Sequence, residues 1–371
     1  MTSPLDSARR VVVKIGSALL VEGQDGRIRR AWLNALADDI AELKKEGREV
    51  LIVTSGAIAI GRRHLGLTPG TLKLEESQAA AACGQIRLAH AYQEALGRHD
   101  IGVAQLLLTL DDTEDRRRYL NALSTLNTLL RLGSVPVVNE NDTVATGEIR
   151  FGDNDRLAAR VAMMASADAL VLLSDIDGLY DRDPREHDDA VLIPEVPAIT
   201  PDIEAMAGKV RAGDSSGGMV TKLIAARIGM QAGCSMAIAD GRIDHPLLAI
   251  KEGKLCTWFT AAENPTNARK RWIAGALKPT GSLVIDDGAL AALSRGRSLL
   301  PAGVIRIDGS FDRGDAVLVK AADGKEIGRG LVAYSCADAR SIAGHKSGEI
   351  ERLLGYRGRE ELIHRDDLVM S

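Results

Sequence analysis

The sequence predicts an α/β domain with a three-layer open sheet, mostly parallel, followed by a small C-terminal β-barrel. Between residues 10 and 260, short β-branched runs alternate with helical patterns, which is typical of a parallel sheet covered by helices on both faces. Glycine and polar residues follow one predicted strand after another, which indicates a single ligand-binding edge of the sheet. After residue 260 the composition changes, and short strands separated by turn-forming residues begin.

The predicted strands of the first domain are short and rich in β-branched residues. They are residues 10–14, 50–54, 103–109, 135–139, 169–175 and 234–240. Helical patterns lie between them, and the clearest is residues 31–47, where apolar residues recur every three or four positions and Gly47 ends the helix.

The domain boundaries follow from the change in composition. Residues 261–272 are polar and basic, which is typical of a linker. We therefore expect a first domain over residues 1–262, a linker over 263–279 and a β-rich domain over 280–371. The strands predicted in the last domain are residues 282–286, 304–308, 315–320 and 330–335.

The composition excludes several classes of protein. The chain has 371 residues, 26% of them charged, and a formal net charge of −4, which gives it no general attraction for nucleic acid or anionic membranes. The four cysteines lie far apart without a C-x-x-C pair, which disfavours a disulfide framework and a zinc site. No apolar run reaches transmembrane length, and the N-terminus lacks a signal-peptide core. We expect a soluble cytoplasmic protein with no membrane partner.

The segment S-S-G-G-M-V-T-K-L at 215–223 has the features of a phosphate-binding loop. Glycines allow the backbone to approach phosphate oxygens, a helix N-terminus points N–H groups at them, and Lys222 adds a full charge. It is not a Walker A loop, because Thr221 precedes the lysine instead of following it. The alternative is an ordinary glycine-containing loop.

A second lysine, Lys14, ends the first predicted strand, and Gly16 lies just behind it. A phosphoryl group in transfer carries negative charge on its equatorial oxygens, and enzymes stabilise it with positive charges and dipoles. Lys14 and Lys222 could approach such a group from two sides. The alternative is that Lys14 is a solvated lysine at a strand end.

Residues 139–155 form an acidic segment with two clusters of Asp, Asn and Glu. Bare carboxylates repel an anionic nucleotide, so they need a cation, which could be Mg²⁺, a lysine or the ammonium group of an amino-acid substrate. The alternative is that Asp153 or Asn154 only caps the following helix, although this leaves the first cluster unexplained.

A third acidic segment, S-D-I-D-G-L-Y-D-R-D-P at 174–184, follows a fully apolar strand. Asp175 and Asp177 could bind a metal or a nucleotide. Asp181 and Asp183 are better interpreted as turn-forming residues.

Six motifs together resemble the amino-acid kinase family. They are V-V-K-I-G-S near the N-terminus, V-T-S-G-A-I-A-I-G, P-V-V-N-E-N-D-T-V, F-G-D-N-D, L-L-S-D-I-D-G-L-Y and G-G-M-V-T-K. Residues after 280, with L-L-P-A-G-V and F-D-R-G-D, resemble a PUA domain, a module that elsewhere commonly binds RNA. The similarity runs nearly end to end and is greatest to those family members that phosphorylate glutamate in the first step of proline biosynthesis.

The resemblance implies a role for each motif residue. Lys14 and Lys222 would be catalytic and stabilise the transferred phosphoryl group, and Asp155 would orient both lysines. Glutamate would bind to Ser55, Gly56, Ala57, Asp142 and Asn154. ATP would bind to Lys14, Ser174, Asp175, Ser216, Gly217, Gly218, Met219, Val220, Thr221 and Lys222. The family often has Thr where this chain has Ser174 and Ser216, and both replacements keep the hydroxyl group.

The implied reaction is in-line attack of the substrate γ-carboxylate on the γ-phosphate of ATP, with Mg²⁺ as cofactor and no metal ligand assigned to a protein side chain. A carboxylate is already ionised at pH 7, so the reaction needs no general base. The family also implies feedback inhibition by proline and a homo-oligomer, a dimer or a tetramer, built from the kinase domain.

Two other functions are weaker alternatives. Another amino-acid kinase, acting on aspartate, acetylglutamate or carbamate, does not account for the C-terminal domain and the paired acidic clusters. An RNA-binding regulator would use the PUA-like domain, but residues 275–371 contain 14 Lys and Arg residues against 14 Asp and Glu residues. This balance gives little attraction for an RNA backbone, so RNA is a weakly supported partner.

Overall fold

The computed structural model describes residues 3–22, 26–67, 70, 72–144, 154–208, 218–275 and 278–370. The chain divides into two compact units, Met1–Pro265 and Thr266–Ser371. No helix in the described ranges is long and apolar enough to cross a membrane.

The first unit contains the six predicted strands, each ending within one residue of its predicted position, and several short additional ones. The strands are β1 (Arg10–Ile15), β2 (Val21–Glu22), β3 (Arg27–Ile28), β4 (Glu49–Val53), β5 (Val103–Leu108), β6 (Val135–Glu140), β7 (Ala169–Ser174), β8 (Leu179–Tyr180), β9 (Leu192–Ile193), β10 (Glu195–Val196), β11 (Ser235–Asp240) and β12 (Thr257–Phe259).

Eight of these strands form one sheet in the order β10-β12-β11-β7-β1-β4-β6-β5. All neighbouring pairs are parallel except β11 and β12, so the sheet is mostly parallel, as predicted. The two short hairpins, β2–β3 and β8–β9, lie outside it.

Helices connect the strands of the first unit. They are α1 (Pro4–Ser7), α2 (Ser17–Leu20), α3 (Arg30–Lys45), α4 (Ala57–His64), α5 (Leu74–Gly97), α6 (Leu110–Glu114), α7 (Arg116–Arg131), α8 (Asn154–Ala165), α9 (Pro201–Met206), α10 (Met219–Gln231) and α11 (Pro246–Lys251).

The alternation of side chains along the central strand builds the three layers. Val11 and Val13 of β1 pack into the core formed with α3 and α5, whereas Val12 packs into the core formed with α7, α8 and α10. Because β1 is buried on both faces, it reads as a continuous apolar run.

Helices α4 and α5 cross unusually closely. A Cβ atom at Gly61 would overlap the carbonyl oxygen of Ala80, and one at Gly84 would overlap the carbonyl oxygen of Ala57. Glycine is therefore required at both positions, because the two backbones are in direct contact there.

The second unit contains a mixed five-stranded sheet in the order β14-β13-β15-β16-β17 around one core. Its elements are α12 (Pro265–Gly275), β13 (Gly281–Ile285), α13 (Asp287–Ser294), β14 (Val304–Gly309), β15 (Ala316–Lys320), β16 (Glu326–Leu331), α14 (Cys336–Ile342), α15 (Ile350–Leu354) and β17 (Leu368–Met370), with 3₁₀ turns at 301–303, 347–349 and 365–367. Helix α12, which begins at the last residue of the first unit, occupies the segment expected to be a linker, and its Ile273 is buried against Ala316 and Leu331.

Strand β16 begins and ends four residues earlier than predicted. The run at 330–335 looks strand-like, but Ser335 caps helix α14 and draws the chain out of the sheet. Gly328 and Gly330, which lower strand propensity in the sequence, allow close approach to the residues around β17. Strand β17 was not predicted.

Candidate active site

Several predicted site residues lie at the carboxyl edge of the main sheet. In the register of the sheet, Lys14 pairs with Val53 on one side and with Leu172 on the other, and Val53 pairs in turn with Val138. The residues that end or follow these strands therefore emerge side by side, at the edge where open α/β sheets bind ligands.

At this edge two lysines share one carboxylate. The Nζ atom of Lys14 lies 2.5 Å from Oδ1 of Asp155, and the Nζ atom of Lys222 lies 3.0 Å from its Oδ2. All three side chains are buried, with 8% of Lys14, 7% of Lys222 and 1% of Asp155 exposed. The interpretation of Lys14 as a solvated lysine is therefore wrong. We call these three residues the lysine centre.

The lysine centre carries a net positive charge in a buried place. Burial alone would raise the pKa of Asp155, but the charges and hydrogen bonds of Lys14 and Lys222 hold that pKa below its usual range. Asp155 also lies in the first turn of α8, where the helix dipole favours a negative charge. Two ammonium groups held together at the carboxyl edge of the sheet favour an anionic ligand there.

The lysine centre is extended by the start of helix α10. The hydroxyl group of Thr221 has one hydrogen, which two acceptors can share: Oδ2 of Asp155 at 3.2 Å and the carbonyl oxygen of Gly218 at 2.8 Å. Gly218 precedes Met219 and Val220 in the first turn, whose N–H groups have no partner within the helix itself. Ser216 and Gly217, also predicted to bind ATP, lie outside the described residues, so the structure does not place them.

Beside the lysine centre, three oxygen atoms lie within hydrogen-bonding distance of the amide nitrogen of Asn154 and share its two hydrogens. They are the carbonyl oxygen of Thr54 at 2.7 Å, Oγ of Ser55 at 2.8 Å and Oδ1 of Asn139 at 3.0 Å. Asn154 is thus held in place by the ends of β4 and β6. We call Thr54, Ser55, Asn139 and Asn154 the amide cluster. This role replaces the alternative that Asn154 only caps its helix, while Asp153 lies outside the described residues.

The backbone after Ser55 turns sharply into helix α4. Gly56 adopts φ of 100°, in the left-handed region that favours glycine, and Ala57 begins the helix. Of the three residues predicted to bind glutamate on this segment, Ser55, Gly56 and Ala57, the first contacts Asn154 directly and the other two follow it in the turn.

Asp142 lies in the turn that follows β6. Burial raises the pKa of its carboxyl group to about 6. Burial deprives the ionised carboxylate of stabilising contacts with water. A cationic ligand would replace that stabilisation, so a carboxylate with a raised pKa favours such a ligand.

The predicted nucleotide-binding aspartate follows β7. Oγ of Ser174 donates to Oδ1 of Asp175 at 3.1 Å, and the backbone N–H of Gly241 donates to the carbonyl oxygen of Ser174. No described contact links this pair to the lysine centre. Asp177 accepts from the hydroxyl of Tyr180, while Asp181 and Asp183 accept backbone N–H groups within their own loop, as expected of turn-forming residues.

No role was predicted for the two residues that support the amide cluster, Gln85 and Tyr92. Oε1 of Gln85 accepts from Nδ2 of Asn139 at 2.7 Å, and the hydroxyl groups of Tyr92 and Thr54 lie 2.8 Å apart. The sequence feature that could have indicated this role is a glutamine on the otherwise apolar stripe of α5, seven residues before Tyr92.

In the described part of the chain, no three His, Cys, Asp or Glu side chains lie close enough to hold a metal ion. Asp155 is already engaged by two ammonium groups.

Comparison with known proteins identifies both units. The Amino acid kinase family matches residues 9–240, and the PUA domain matches residues 281–354. A glutamate 5-kinase of Paramagnetospirillum magneticum is 66% identical over 100% of both chains, and one of Rhodospirillum rubrum is 63% identical over 97% of this chain and 96% of its own. Among solved structures, carbamate kinase from Giardia lamblia bound to AMP-PNP is 16% identical, covers 69% of this chain and 99% of its own, and has a TM-score of 0.49. That structural likeness is too distant to bear on function.

Proposed function

Since the chain belongs to the amino acid kinase family, and within it to the glutamate 5-kinases, we propose that it transfers the γ-phosphoryl group of ATP to the side-chain carboxylate of L-glutamate. The product is an acyl phosphate, L-glutamyl 5-phosphate, and the reaction is the first step of proline biosynthesis. We place the reaction in the first unit.

The observation that carries this proposal is the lysine centre. Two buried ammonium groups lie 2.5 and 3.0 Å from the oxygens of one carboxylate, so two positive charges are held close together at the sheet edge. The transferred phosphoryl group is an anion whose charge is most spread over its oxygens in the transition state, where two ammonium groups can stabilise it. Lys14 and Lys222 therefore stabilise the transition state, and Asp155 holds them at the right separation.

The amide cluster and Asp142 form the acceptor site of the proposal. The carboxyl group of Asp142 is the best match to the substrate ammonium group, because burial has left it poorly solvated. Ser55 and the N–H groups at the start of α4 offer hydrogen bonds to the substrate carboxylates, and the carbonyl oxygen of Asn154 can accept one from the substrate ammonium group.

For the nucleotide, we assign Ser174, Asp175 and the segment from Ser216 to Lys222. The described part of that segment is the N-terminus of α10, a favourable place for phosphate oxygens. We propose that Mg²⁺ enters as the complex with ATP, since Asp155 is already paired with two lysines.

The chemistry needs no enzyme nucleophile and no general base. The γ-carboxylate of glutamate is ionised at pH 7, so an oxygen lone pair attacks the γ-phosphorus directly while the bond to the bridging oxygen of ADP breaks. The enzyme contributes position and charge.

The proposal is tested by trapping the product with hydroxylamine. We expect ATP-dependent hydroxamate formation with L-glutamate, and far less with aspartate, acetylglutamate or carbamate. ATP consumption that does not depend on glutamate, or a clear preference for one of the other acceptors, would contradict it.

The raised pKa of Asp142 predicts how glutamate binding depends on pH. If the ionised form binds the ammonium group, the KM for glutamate should rise about ten-fold between pH 7 and pH 5, because Asp142 becomes protonated below its pKa of about 6. In Asp142→Asn the KM at pH 7 should be at least about ten-fold higher and nearly independent of pH. Saturation curves for glutamate and for ATP at several pH values provide the measurement and its control.

The same substitution should stabilise the free protein at neutral pH. A carboxyl group whose folded pKa is raised lowers the free energy of unfolding above that pKa, by about 3 kcal/mol for this shift, and the penalty disappears below about pH 4. Asp142→Asn should therefore melt higher than the wild type at pH 7 and equally at pH 4. A variant that melts lower at pH 7 would contradict the burial of an ionised group.

Three further proposals rest on the family resemblance. Proline is a feedback inhibitor near the glutamate site, the enzyme is a homo-oligomer, and RNA is a weaker candidate partner of the second unit. We also propose the cytoplasm as its compartment, supported by the presence of all four cysteines as free thiols.

A further inference from the structure

We propose that helix α5 contains two positioning residues for the acceptor site, Gln85 and Tyr92, which fix the orientation of Asn154 without touching the substrate. The inference rests on the proposed function, since it concerns how glutamate is recognised. Both side chains are buried, with 8% of Gln85 and 1% of Tyr92 exposed, and they lie two helical turns apart on one face of α5.

The two residues support the two strand ends that hold Asn154. Gln85 accepts a hydrogen bond from Asn139, the last residue but one of β6, and Tyr92 bonds to Thr54, the residue after β4. Asn139 and Thr54 in turn accept from the amide nitrogen of Asn154. Each positioning residue therefore acts on Asn154 through one intermediate.

Backbone groups at both ends of this network fix which atom donates and which accepts in each of its hydrogen bonds. The N–H of Glu140 donates to Oδ1 of Asn139 at 2.9 Å, so Asn139 must turn its Nδ2 toward Gln85, and Gln85 must present its oxygen. At the other end, the carbonyl oxygen of Thr54 requires the nitrogen of Asn154. Asn154 is thereby obliged to leave its carbonyl oxygen as the atom that can accept a hydrogen bond from a substrate.

The orientation of Gln85 has a cost. Its Nε2 atom is buried and has no hydrogen-bond partner in the part of the chain that the structure describes. A buried amide group whose nitrogen has no hydrogen-bond partner destabilises the fold. If this position served packing alone, an apolar residue of the same size would give a more stable protein. The polar group is explained if its oxygen is needed to hold Asn139.

The test is the steady-state kinetics of Gln85→Met, which keeps the size of the side chain but removes the acceptor. We expect the KM for glutamate to rise about ten-fold, with the KM for ATP and kcat changed less than about three-fold. Gln85→Glu keeps an acceptor oxygen and should recover most of the loss. Gln93→Met makes the same replacement at an exposed position of α5 and serves as the matched control.

A double-mutant cycle with Asn139→Ala tests the route of the effect. If Gln85 acts through Asn139, the ten-fold effect of Gln85→Met should disappear in the Asn139→Ala background. Should Gln85→Met not fold, Tyr92→Phe removes only a hydroxyl group and should raise the KM for glutamate about three-fold.

The outcomes are distinguishable. An active wild type whose glutamate KM is unchanged in Gln85→Met and Tyr92→Phe overturns this inference alone. The same holds if the KM values for both substrates rise together and Gln85→Glu recovers nothing, since this is the pattern of a structural role. A wild type without glutamate-dependent turnover overturns the proposed function and this inference with it.

Discussion

Replacing Lys222 by methionine should lower kcat about 100-fold or more, with a much smaller change in the KM for ATP. Methionine keeps a similar length and an apolar stem, so the substitution removes mainly the charge. If Lys222 acts on the phosphoryl group in transfer, its interaction strengthens as negative charge moves onto the equatorial oxygens, and its loss appears in kcat. Lys14→Met should behave similarly.

The double variant, with both Lys14→Met and Lys222→Met, tests whether the two lysines act together on one group or make two independent contacts. Because both ammonium groups bind the carboxylate of Asp155, the combined loss should be smaller than the product of the single losses. Lys45→Met, on an exposed lysine of α3, is the matched control and should leave kcat unchanged. If Lys222→Met raised the KM for ATP and left kcat intact, Lys222 would be a ground-state binding residue instead.

Asp155→Asn should lower kcat about 100-fold and also destabilise the fold, because two buried ammonium groups lose their common counter-charge. The destabilisation should be about 3 kcal/mol at pH 7. The pKa of Asp155 is held below its usual range, so its stabilising effect is present above the unfolded pKa near 4 and is lost as the pH falls below it. The wild type and the variant should therefore converge in acid.

Thermal melting across pH, together with kcat at pH 7, measures both effects. Asp39→Asn removes another buried carboxylate, one that bonds to His245 and to the backbone at the start of α11. It should leave kcat within about two-fold. Normal turnover in a folded Asp155→Asn variant would show that the lysines hold their positions without the carboxylate.

Much of the first unit could be predicted from the sequence because its signals are local. Strands β1 and β7 are continuous apolar runs, and a parallel sheet buried on both faces requires such runs. The shared sheet edge followed from the polar and glycine residues after each strand. The pairing of Lys14 with Lys222 was suggested by phosphate chemistry and family motifs, but their common partner Asp155 was assigned from the resemblance.

The remaining features depend on contacts between distant parts of the chain. Gln85 lies 54 residues from Asn139, and nothing in its neighbourhood marks it apart from its place on an apolar stripe. Helix α12 was not predicted, because its composition is mostly polar. Only scattered positions such as Ile273 are buried. Strand β16 contains two glycines, which lower the strand propensity of its sequence. The strand was therefore predicted four residues too far along the chain.

The close crossing of α4 and α5 has a consequence for how this enzyme can change over evolutionary time. With no room for a methyl group at Gly61 or Gly84, the backbone at Ala57, which we propose binds the substrate, packs directly on the helix that carries Gln85, and a shift of either helix would disturb the other. A lineage that adapted to a bulkier acceptor could not widen the site by substituting contact residues alone. It would have to displace both helices together, which makes glutamate specificity a property of the scaffold as much as of the residues that touch the substrate.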